Sequence, residues 1–280
     1  MKEYDQGYFV GERALYATRE AKITDSVFEA GESPLKESRE IELEGCIFGW
    51  KYPLWYCKDV TVRSTTLLEG ARSGIWYTER INVTDSVIEA PKTFRRSVDI
   101  KLSGVAMPKA QETLWNCRNI EINNVSAAGD YFGYCSENIE CENFVINGNY
   151  LFDGGKNIVV RNSKLISKDA FWNTENVVVE NSLIIGEYLG WNSKNVTFIN
   201  CKIQSLQGLC YMKDVKLVNC KLLNTTLAFE YSSVEATLNG NVDSVKNPLG
   251  GSVITADSIG EIILDESCED PDEVRIKTAR

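Results

Sequence analysis

The chain has 280 residues, of which 43% are apolar and 25% are charged, the composition of a folded protein. Its 40 acidic and 30 basic residues give a net charge of −10 at pH 7. This charge argues against nucleic acid or an anionic membrane as the main partner. Because the sequence contains no histidine and no C-x-x-C motif, we expect neither a metal site nor a cofactor.

The first residues lack the apolar stretch of a signal peptide, and no run of 18 apolar residues follows. We therefore expect a cytoplasmic protein that does not enter a membrane. The nine cysteines fit a reducing compartment, and five of them fall on two recurring columns of small residues that we expect to be buried. These five are Cys46, Cys57, Cys117, Cys201 and Cys220.

A short phrase recurs with a fixed period. Residues 157–163 read NIVVRNS, residues 176–182 read NVVVENS, and residues 195–201 read NVTFINC, each nineteen residues after the one before. Extending the phrase in both directions gives leading apolar positions every 19–21 residues, namely Ala21, Ile41, Val60, Ile81, Ile100, Ile120, Ile139, Ile158, Val177, Val196 and Val215. A fixed period of this size indicates a stacked repeat.

Each repeat contains three short apolar-alternating segments. Each leading residue is followed two positions later by another apolar residue of the same strand. A second apolar column lies seven positions after the leader, and a third column lies six positions before the next leader. Alternation of period two predicts half-buried strands, and no window shows the period of an α-helix. Since parallel crossovers are right-handed, we predict an all-β, single-stranded, right-handed parallel β-helix of about eleven or twelve coils.

The predicted organisation is one domain. Residues 1–20 are expected to cap the first coil, residues 21–233 to form the regular coils, and residues 234–280 to form irregular terminal coils with an acidic tail. The corner after the first strand carries a turn residue in nearly every repeat, most often asparagine. Asparagine tolerates left-handed backbone, and stacked amides can bond to each other along the axis. The members are Asn124, Asn143, Asn162, Asn181, Asn200 and Asn219.

One part of every coil does not repeat and is rich in aromatic and charged residues. Five residues before each leader stand Trp55, Trp76, Arg95, Trp115, Tyr134, Asp153, Trp172, Trp191, Cys210 and Phe229. If the adjacent apolar column points inward, this column points outward and offers rings to a sugar or to a protein. The alternative is the reverse parity, in which the tryptophans fill the interior.

Charges on this face differ between the two halves of the chain, with basic residues first and acidic residues later. Without histidine, acid and base catalysis falls first to carboxylates. Asp153 and Asp169 lie on neighbouring coils, where their carboxyls can be spaced as in glycosidases, and Trp172 can raise one pKa. We predict Asp153 and Asp169 as catalytic residues. The predicted substrate-binding residues are Arg95, Arg96, Trp115, Trp172, Glu187 and Trp191. A solvated face with ordinary carboxylates is the alternative.

The segments Gly31–Ser38, Lys51–Tyr56, Pro91–Arg96, Lys168–Asn173, Glu187–Asn192 and Phe229–Ser232 resemble a bacterial family of cytosolic proteins with a pectate-lyase-like right-handed β-helix. The resemblance covers nearly the whole chain. It implies the fold but no catalytic residue, because that family has no assigned reaction. The wider superfamily implies polysaccharide lyases and hydrolases. The chain departs from them in lacking a secretion signal and an Asp-Asp pair with a nearby histidine.

Two functions of different classes remain open. The first is a protein that binds, and as a glycoside hydrolase or lyase-like enzyme hydrolyses or rearranges, an oligosaccharide or acidic glycoside. The second is a scaffold without activity whose aromatic face meets a protein partner or another copy of itself as a homo-oligomer. A cleft with inward-pointing acids favours the enzyme, and a flat covered patch favours the scaffold.

Overall fold

The computed structural model describes residues 1–279, which form two compact units, residues 1–140 and residues 141–279. Each unit is built from short strands joined by tight corners. Among the described residues the helical segments are two 3₁₀ turns, Glu69–Ala71 and Pro271–Glu273. No helix in residues 1–279 has the length and apolar character needed to cross a bilayer.

The strands of the first unit are β1 (Lys2–Asp5), β2 (Tyr8–Phe9), β3 (Arg19–Thr24), β4 (Val27–Phe28), β5 (Arg39–Glu44), β6 (Ile47–Phe48), β7 (Lys58–Arg63), β8 (Thr66–Leu67), β9 (Ile75–Trp76), β10 (Glu79–Thr84), β11 (Val87–Ile88), β12 (Phe94–Arg95), β13 (Val98–Ser103), β14 (Ala106–Met107) and β15 (Arg118–Ala128). Strand β16 (Glu137–Asn147) includes the division between the units. The strands of the second unit are β17 (Lys156–Arg161), β18 (Lys164–Ile166), β19 (Glu175–Glu180), β20 (Leu183–Glu187), β21 (Lys194–Ile199), β22 (Lys202–Leu206), β23 (Lys213–Leu223), β24 (Val234–Leu238), β25 (Asn241–Lys246), β26 (Val253–Ala256), β27 (Ser258–Ile263) and β28 (Arg275–Thr278).

Each strand pairs in parallel with its equivalent one winding later. In the first unit Ala21 lies opposite Ile41, and Ile41 lies opposite Val60. In the second unit Val177 lies between Ile158 and Val196 in the same way. The predicted parallel β-helix is therefore confirmed, with about fifteen turns in place of the expected eleven or twelve. The extra turns arise because winding already starts at β1, which pairs with β3, and continues through β24, β26 and β28.

The core is made of the three predicted apolar columns. The leading residues, the residues two positions later and the second column are all buried, and so is the third column that includes Leu54, Phe94 and Phe171. Phe28 and Phe48 stack with ring centroids 4.5 Å apart and planes 5° apart. Identical positions stack ring on ring because parallel pairing places each residue directly over its equivalent.

Small residues line the inner corners and satisfy the backbone there. The Ser163 hydroxyl accepts a hydrogen bond from Phe144 N at 3.0 Å and donates to Arg161 O at 2.6 Å. The cysteines of the two predicted columns are buried in equivalent positions. Burial raises the pKa of the Cys57 and Cys117 thiols to about 12, so they stay protonated and act as small packing groups.

The asparagine corner has the predicted geometry. Asn181, Asn200 and Asn219 all have left-handed backbone, with φ between 50° and 55°. Asn200 Nδ2 donates to Asn181 Oδ1 at 3.1 Å, and Asn219 Nδ2 donates to Asn200 Oδ1 at 2.7 Å. A second ladder, which the sequence did not lead us to expect, joins Asn195 to Asn176 and Asn176 to Asn157.

Replacing Asn200 separates the contribution of its amide hydrogen bonds from that of its tolerance of left-handed backbone. Asn200→Ala removes both amide bonds and leaves a non-glycine residue at φ +52°, so we expect it to lower the unfolding free energy by about 1–2 kcal/mol. Asn200→Gly removes the same bonds without the backbone strain and is expected to cost about half as much. Urea unfolding of the full chain measures both. Equal losses for the two variants would show that the corner conformation is not what asparagine supplies.

Candidate functional site

The non-repeating face is organised by a column of corner residues three positions before the tryptophan column. From Tyr52 to Gln207 its nine members have left-handed backbone, with φ between 45° and 61°. In the first unit the column contains Tyr52, Ser73, Lys92, Glu112 and Tyr131, and in the second unit it contains Tyr150, Asp169, Tyr188 and Gln207. This column is hard to recognise in the sequence because its residue types differ from coil to coil, and only the nineteen-residue period reveals it.

The tryptophans lie outside the core, half-buried, beside the buried third column. In the first unit the indole Nε1 of Trp55 donates to Ser73 O at 2.6 Å, and that of Trp115 donates to Tyr131 O at 2.9 Å. In the second unit Trp191 donates to Gln207 O at 2.8 Å. Each indole thus bonds the corner one winding later, which fixes its orientation. The predicted outward direction is confirmed for these rings. It is wrong for Cys210 and Phe229, which are fully buried.

In the first unit Arg95 replaces a ring within a continuous stack. Trp55 and Trp76 lie 5.1 Å apart with planes 8° apart. The Arg95 guanidinium carbon lies 4.6 Å from the ring centroid of Trp76 on one side and 4.6 Å from that of Trp115 on the other. Tyr134 then lies 4.9 Å from Trp115. A guanidinium is flat and cationic, so it continues an aromatic stack through cation–π contacts.

Arg95, predicted to bind substrate, has little surface left for contact with a ligand. Both faces of its guanidinium meet indoles, and its Nη2 lies 3.3 Å from Glu112 Oε2, which also pairs with Lys92. Its Nε is buried without a hydrogen-bond partner. Arg96 differs, because it is exposed and its guanidinium lies 6.0 Å from the Tyr77 ring. The predicted basic region is also partly neutralised, since Lys51 pairs with Glu32 and Lys109 with Glu69.

In the second unit the predicted aromatic residues also face each other. The rings of Trp172 and Trp191 lie 5.8 Å apart with planes 8° apart. The outer sides of this pair are met edge-on by Tyr150 at 6.1 Å and by Tyr211 at 5.0 Å. A bound sugar would therefore meet the edges of these rings. The same holds for Trp115, which lies between Arg95 and Tyr134.

Asp169 is the unusual residue of this face. It is only 2% exposed, and its Oδ1 is buried without a hydrogen-bond partner. Desolvation raises the pKa of the Asp169 carboxyl above its usual range, opposed by the charge of Lys168 and by a hydrogen bond with the Tyr150 side chain. The charges of Glu187 and Asp153 add to the rise. A carboxyl in this environment favours its protonated form.

The other two predicted acids of the second unit are held by polar partners. Asp153 is half-buried, and its Oδ1 accepts a hydrogen bond from Asn173 Nδ2 at 2.8 Å. Glu187 lies 3.2 Å from Lys168 Nζ, whose pKa this contact raises. The structure thus groups Asp153, Asp169, Glu187 and Trp172 with two residues that the sequence analysis had not singled out, Tyr150 and Lys168. We call these six residues the acidic site. Within residues 1–279 no three acidic or cysteine side chains are arranged to hold a metal ion.

Comparison with known proteins identifies the family. Residues 2–277 match the family described as "Protein of unknown function (DUF3737)", and the chain belongs to that family. This confirms the expected kinship with a family that has no assigned reaction. No curated protein matches the chain.

Several solved structures are similar in backbone. The surface adhesin PfbA of Streptococcus pneumoniae is 9% identical, with a TM-score of 0.47 over 96% of this chain and 86% of that one. The A-module of the mannuronan C-5 epimerase AlgE4 of Azotobacter vinelandii is 10% identical, with a TM-score of 0.33 over 95% and 89%. The periplasmic alginate epimerase AlgG is 9% identical, with a TM-score of 0.31 over 97% and 76%. No activity follows from likenesses of this size.

The buried carboxyl predicts an unusual pH dependence. Because the pKa of Asp169 is raised on folding, the folded state binds more protons than the unfolded state above about pH 4, and stability falls as the pH rises through the folded pKa. Asp169→Asn removes this loss. We expect it to raise the melting temperature at pH 7 by about 2–4 °C and to have less effect near pH 4.

Thermal unfolding at the two pH values tests this, with Asp243→Asn as a control. Asp243 is an exposed carboxylate on β25 of the same unit, and its replacement is expected to change little. An Asp169→Asn effect of the same size at both pH values would contradict the assignment of a desolvated charge.

Proposed function

We propose that this member of a family of unknown function binds an oligosaccharide or acidic glycoside at the acidic site and hydrolyses or rearranges it there. The observation that carries the proposal is the Asp169 carboxyl, buried with one unpartnered oxygen and a raised pKa beside half-buried aromatic rings. Burying such a group destabilises a fold, so folding alone gives no reason to keep it. A general acid needs a carboxyl that holds its proton near neutral pH.

The proton path runs through Tyr150. Its side chain is hydrogen-bonded to Asp169 and is half-buried, so it extends from the carboxyl toward the surface. In glycoside hydrolysis the Tyr150 O–H donates its proton to the departing glycosidic oxygen, while protonated Asp169 donates its own proton to the Tyr150 oxygen. The leaving group departs as an alcohol, and Asp169 is left ionised until a proton returns from water.

Asp153 has the complementary role. It is more exposed than Asp169 and is oriented by the Asn173 amide. As a general base, Asp153 accepts a proton from the water that attacks the sugar carbon. As a nucleophile, it attacks that carbon itself and forms a covalent ester; water, giving its proton through Tyr150 to the ionised Asp169, then displaces Asp153 and releases the sugar. The first route inverts the configuration and the second retains it. Glu187 and the edges of Trp172 and Trp191 then provide contacts for sugar hydroxyls and ring carbons.

Activity of single variants tests the assignment. A panel of oligosaccharides and uronic-acid glycosides is screened for release of reducing ends by the native chain. We expect Asp153→Asn and Asp169→Asn each to reduce turnover of an identified substrate at least 100-fold. Asp243→Asn should retain the native rate.

Stability separates chemistry from folding in this experiment. Asp169→Asn is expected to melt higher than the native chain at pH 7, so its loss of turnover cannot be attributed to unfolding. Native turnover in both aspartate variants would remove the acid and base roles. Tyr150→Phe should slow turnover and leave the oligosaccharide affinity within about twofold.

A second candidate function is a protein-interaction scaffold, and the stacking of the rings favours it. Trp55 and Trp76, and Trp172 and Trp191, cover one another's faces, so the aromatic face presents mainly edges and the exposed rings of Tyr56 and Tyr211. Such surfaces suit a protein partner or a second copy. Sedimentation of the native chain and of Tyr211→Ser tests for self-association. If the face binds a second copy, the mass of the sedimenting species should fall on substitution; otherwise it should not change.

We also propose that the protein acts in the cytoplasm. Nine cysteines without a disulfide among them, seven of them buried, are typical of a reducing compartment. Fractionation of the native host's cells would place the protein.

A further inference from the structure

We propose that the first unit carries an anion-binding site, separate from the acidic site, at a column of cations on the outer side of strands β3, β5 and β7. These strands begin with Arg19, Arg39 and Lys58. The side chains line a groove of about 440 Å³ together with Ala17, Lys36, Glu37, Tyr56, Tyr77 and Glu79. We call it the basic groove.

The register forces the cations together. Arg19 pairs in parallel with Arg39, and Arg39 pairs with Lys58. Equivalent residues of neighbouring parallel strands are about 4.8 Å apart, so three positive charges lie one above the other. Like charges directly opposite in a sheet are destabilising. The chain as a whole carries a net charge of −10, so this cluster runs against the overall balance.

The second unit shows how the same column is neutralised elsewhere. There the equivalent positions are Lys156, Glu175, Lys194 and Lys213, again in register, and Lys194 lies between an acid and a like charge. Glu175 lies between the first two lysines, with carboxylate oxygens 4.0 Å from Lys156 Nζ and 3.0 Å from Lys194 Nζ. The fold therefore accepts an acid in the middle of the column. Arg39 occupies that middle position in the first unit.

The two carboxylates that line the basic groove, Glu37 and Glu79, are already bound. Glu79 lies 2.8 Å from Lys58 Nζ and 3.5 Å from Arg80 Nη1. Glu37 accepts a hydrogen bond from the Tyr16 hydroxyl at 2.7 Å and lies 3.9 Å from Lys36 Nζ.

Asp59, which follows Lys58 in β7, is held by two bonds from Arg80, at 2.6 and 2.9 Å. In the part of the chain that the structure describes, neither Arg19 nor Arg39 has an ion pair within 4 Å. Both guanidiniums are exposed and have donors to offer.

The donors and the wall define the ligand class. Two guanidiniums one winding apart suit an oxyanion with two or three oxygens, because each fork bonds a pair of oxygens. The wall beside them is the Tyr56 ring, 44% exposed and stacked on Tyr77 at 4.8 Å. Lys36 Nζ lies 5.6 Å from the Tyr56 ring. The site thus fits a small molecule with a phosphate or carboxylate group and an apolar or ring portion, such as a sugar phosphate or a uronate.

Calorimetric titration tests the site with inorganic phosphate, glucose 6-phosphate and glucuronate as probes. We expect the native chain to bind at least one of them, and Arg39→Gln to bind it at least tenfold more weakly. Arg118→Gln is the matched control, since Arg118 begins strand β15 in the same column but lies opposite Val98. Preference for glucose 6-phosphate over glucuronate identifies a phosphate ligand, and the reverse identifies a carboxylate. Binding of none of the three, or equal weakening by both variants, would overturn the proposal.

A second variant reproduces the arrangement of the second unit. Arg39→Glu places an acid between Arg19 and Lys58, as Glu175 lies between two lysines. We expect this variant to melt above the native chain without ligand and to lose binding of the probe. An Arg39→Glu variant that melts lower and still binds the probe would show that the column neither repels itself nor binds anions. Glycoside turnover at the acidic site should be unaffected, so failure here leaves the proposed function untouched.

Discussion

Parallel, in-register stacking of equivalent windings is the constraint on which the other features depend. It sets each residue directly over its counterpart about nineteen positions away, as Ile158 lies over Val177. Identical neighbours along a column are favourable for apolar and amide side chains, which explains the stacked Phe28 and Phe48 and the bonded Asn181 and Asn200. Identical charged neighbours are unfavourable, so the charges along a column must alternate in sign, be separated by neutral residues, or pair with a group outside the column.

The same constraint explains why Arg95 occurs in an aromatic column. A flat cation between Trp76 and Trp115 preserves ring-to-ring contact while adding cation–π attraction on both faces. It also gives Glu112 a partner on the neighbouring winding. The residue that looked like a ligand-binding exception in the sequence is thus largely accounted for by packing. Its buried Nε, which lacks a hydrogen-bond partner, remains without a structural explanation.

Much of the fold could be predicted from the sequence because stacking repeats its own pattern. The leaders, the buried columns and the left-handed asparagine corners each recur, so one repeat predicts the next. The terminal turns could not be predicted, since β1 and β28 pair with neighbours although their sequences lack the apolar leaders. Side-chain partners on the variable face were also beyond sequence reasoning. Whether the face or the edge of the Trp172 ring is open to a ligand depends on the orientation of Trp191, and the spacing of residues in a sequence does not determine the angle between two rings.

Departures from vertical pairing are therefore the best guide to function in such a fold. The outer face offers nearly every polar group a partner one winding away: indoles bond the next corner, lysines meet glutamates, and asparagines bond asparagines. Asp169 is a buried exception, because its Oδ1 has no hydrogen-bond partner. Arg19 and Arg39 are an exposed exception, because two like charges lie opposite each other in the parallel register. Both arrangements cost stability that an alternating or amide-bearing column would avoid, as Glu175 shows within the same chain. Because the same fold has a less destabilising arrangement available at both places, packing does not explain them, and we propose that a ligand uses the carboxyl at one and neutralises the charges at the other.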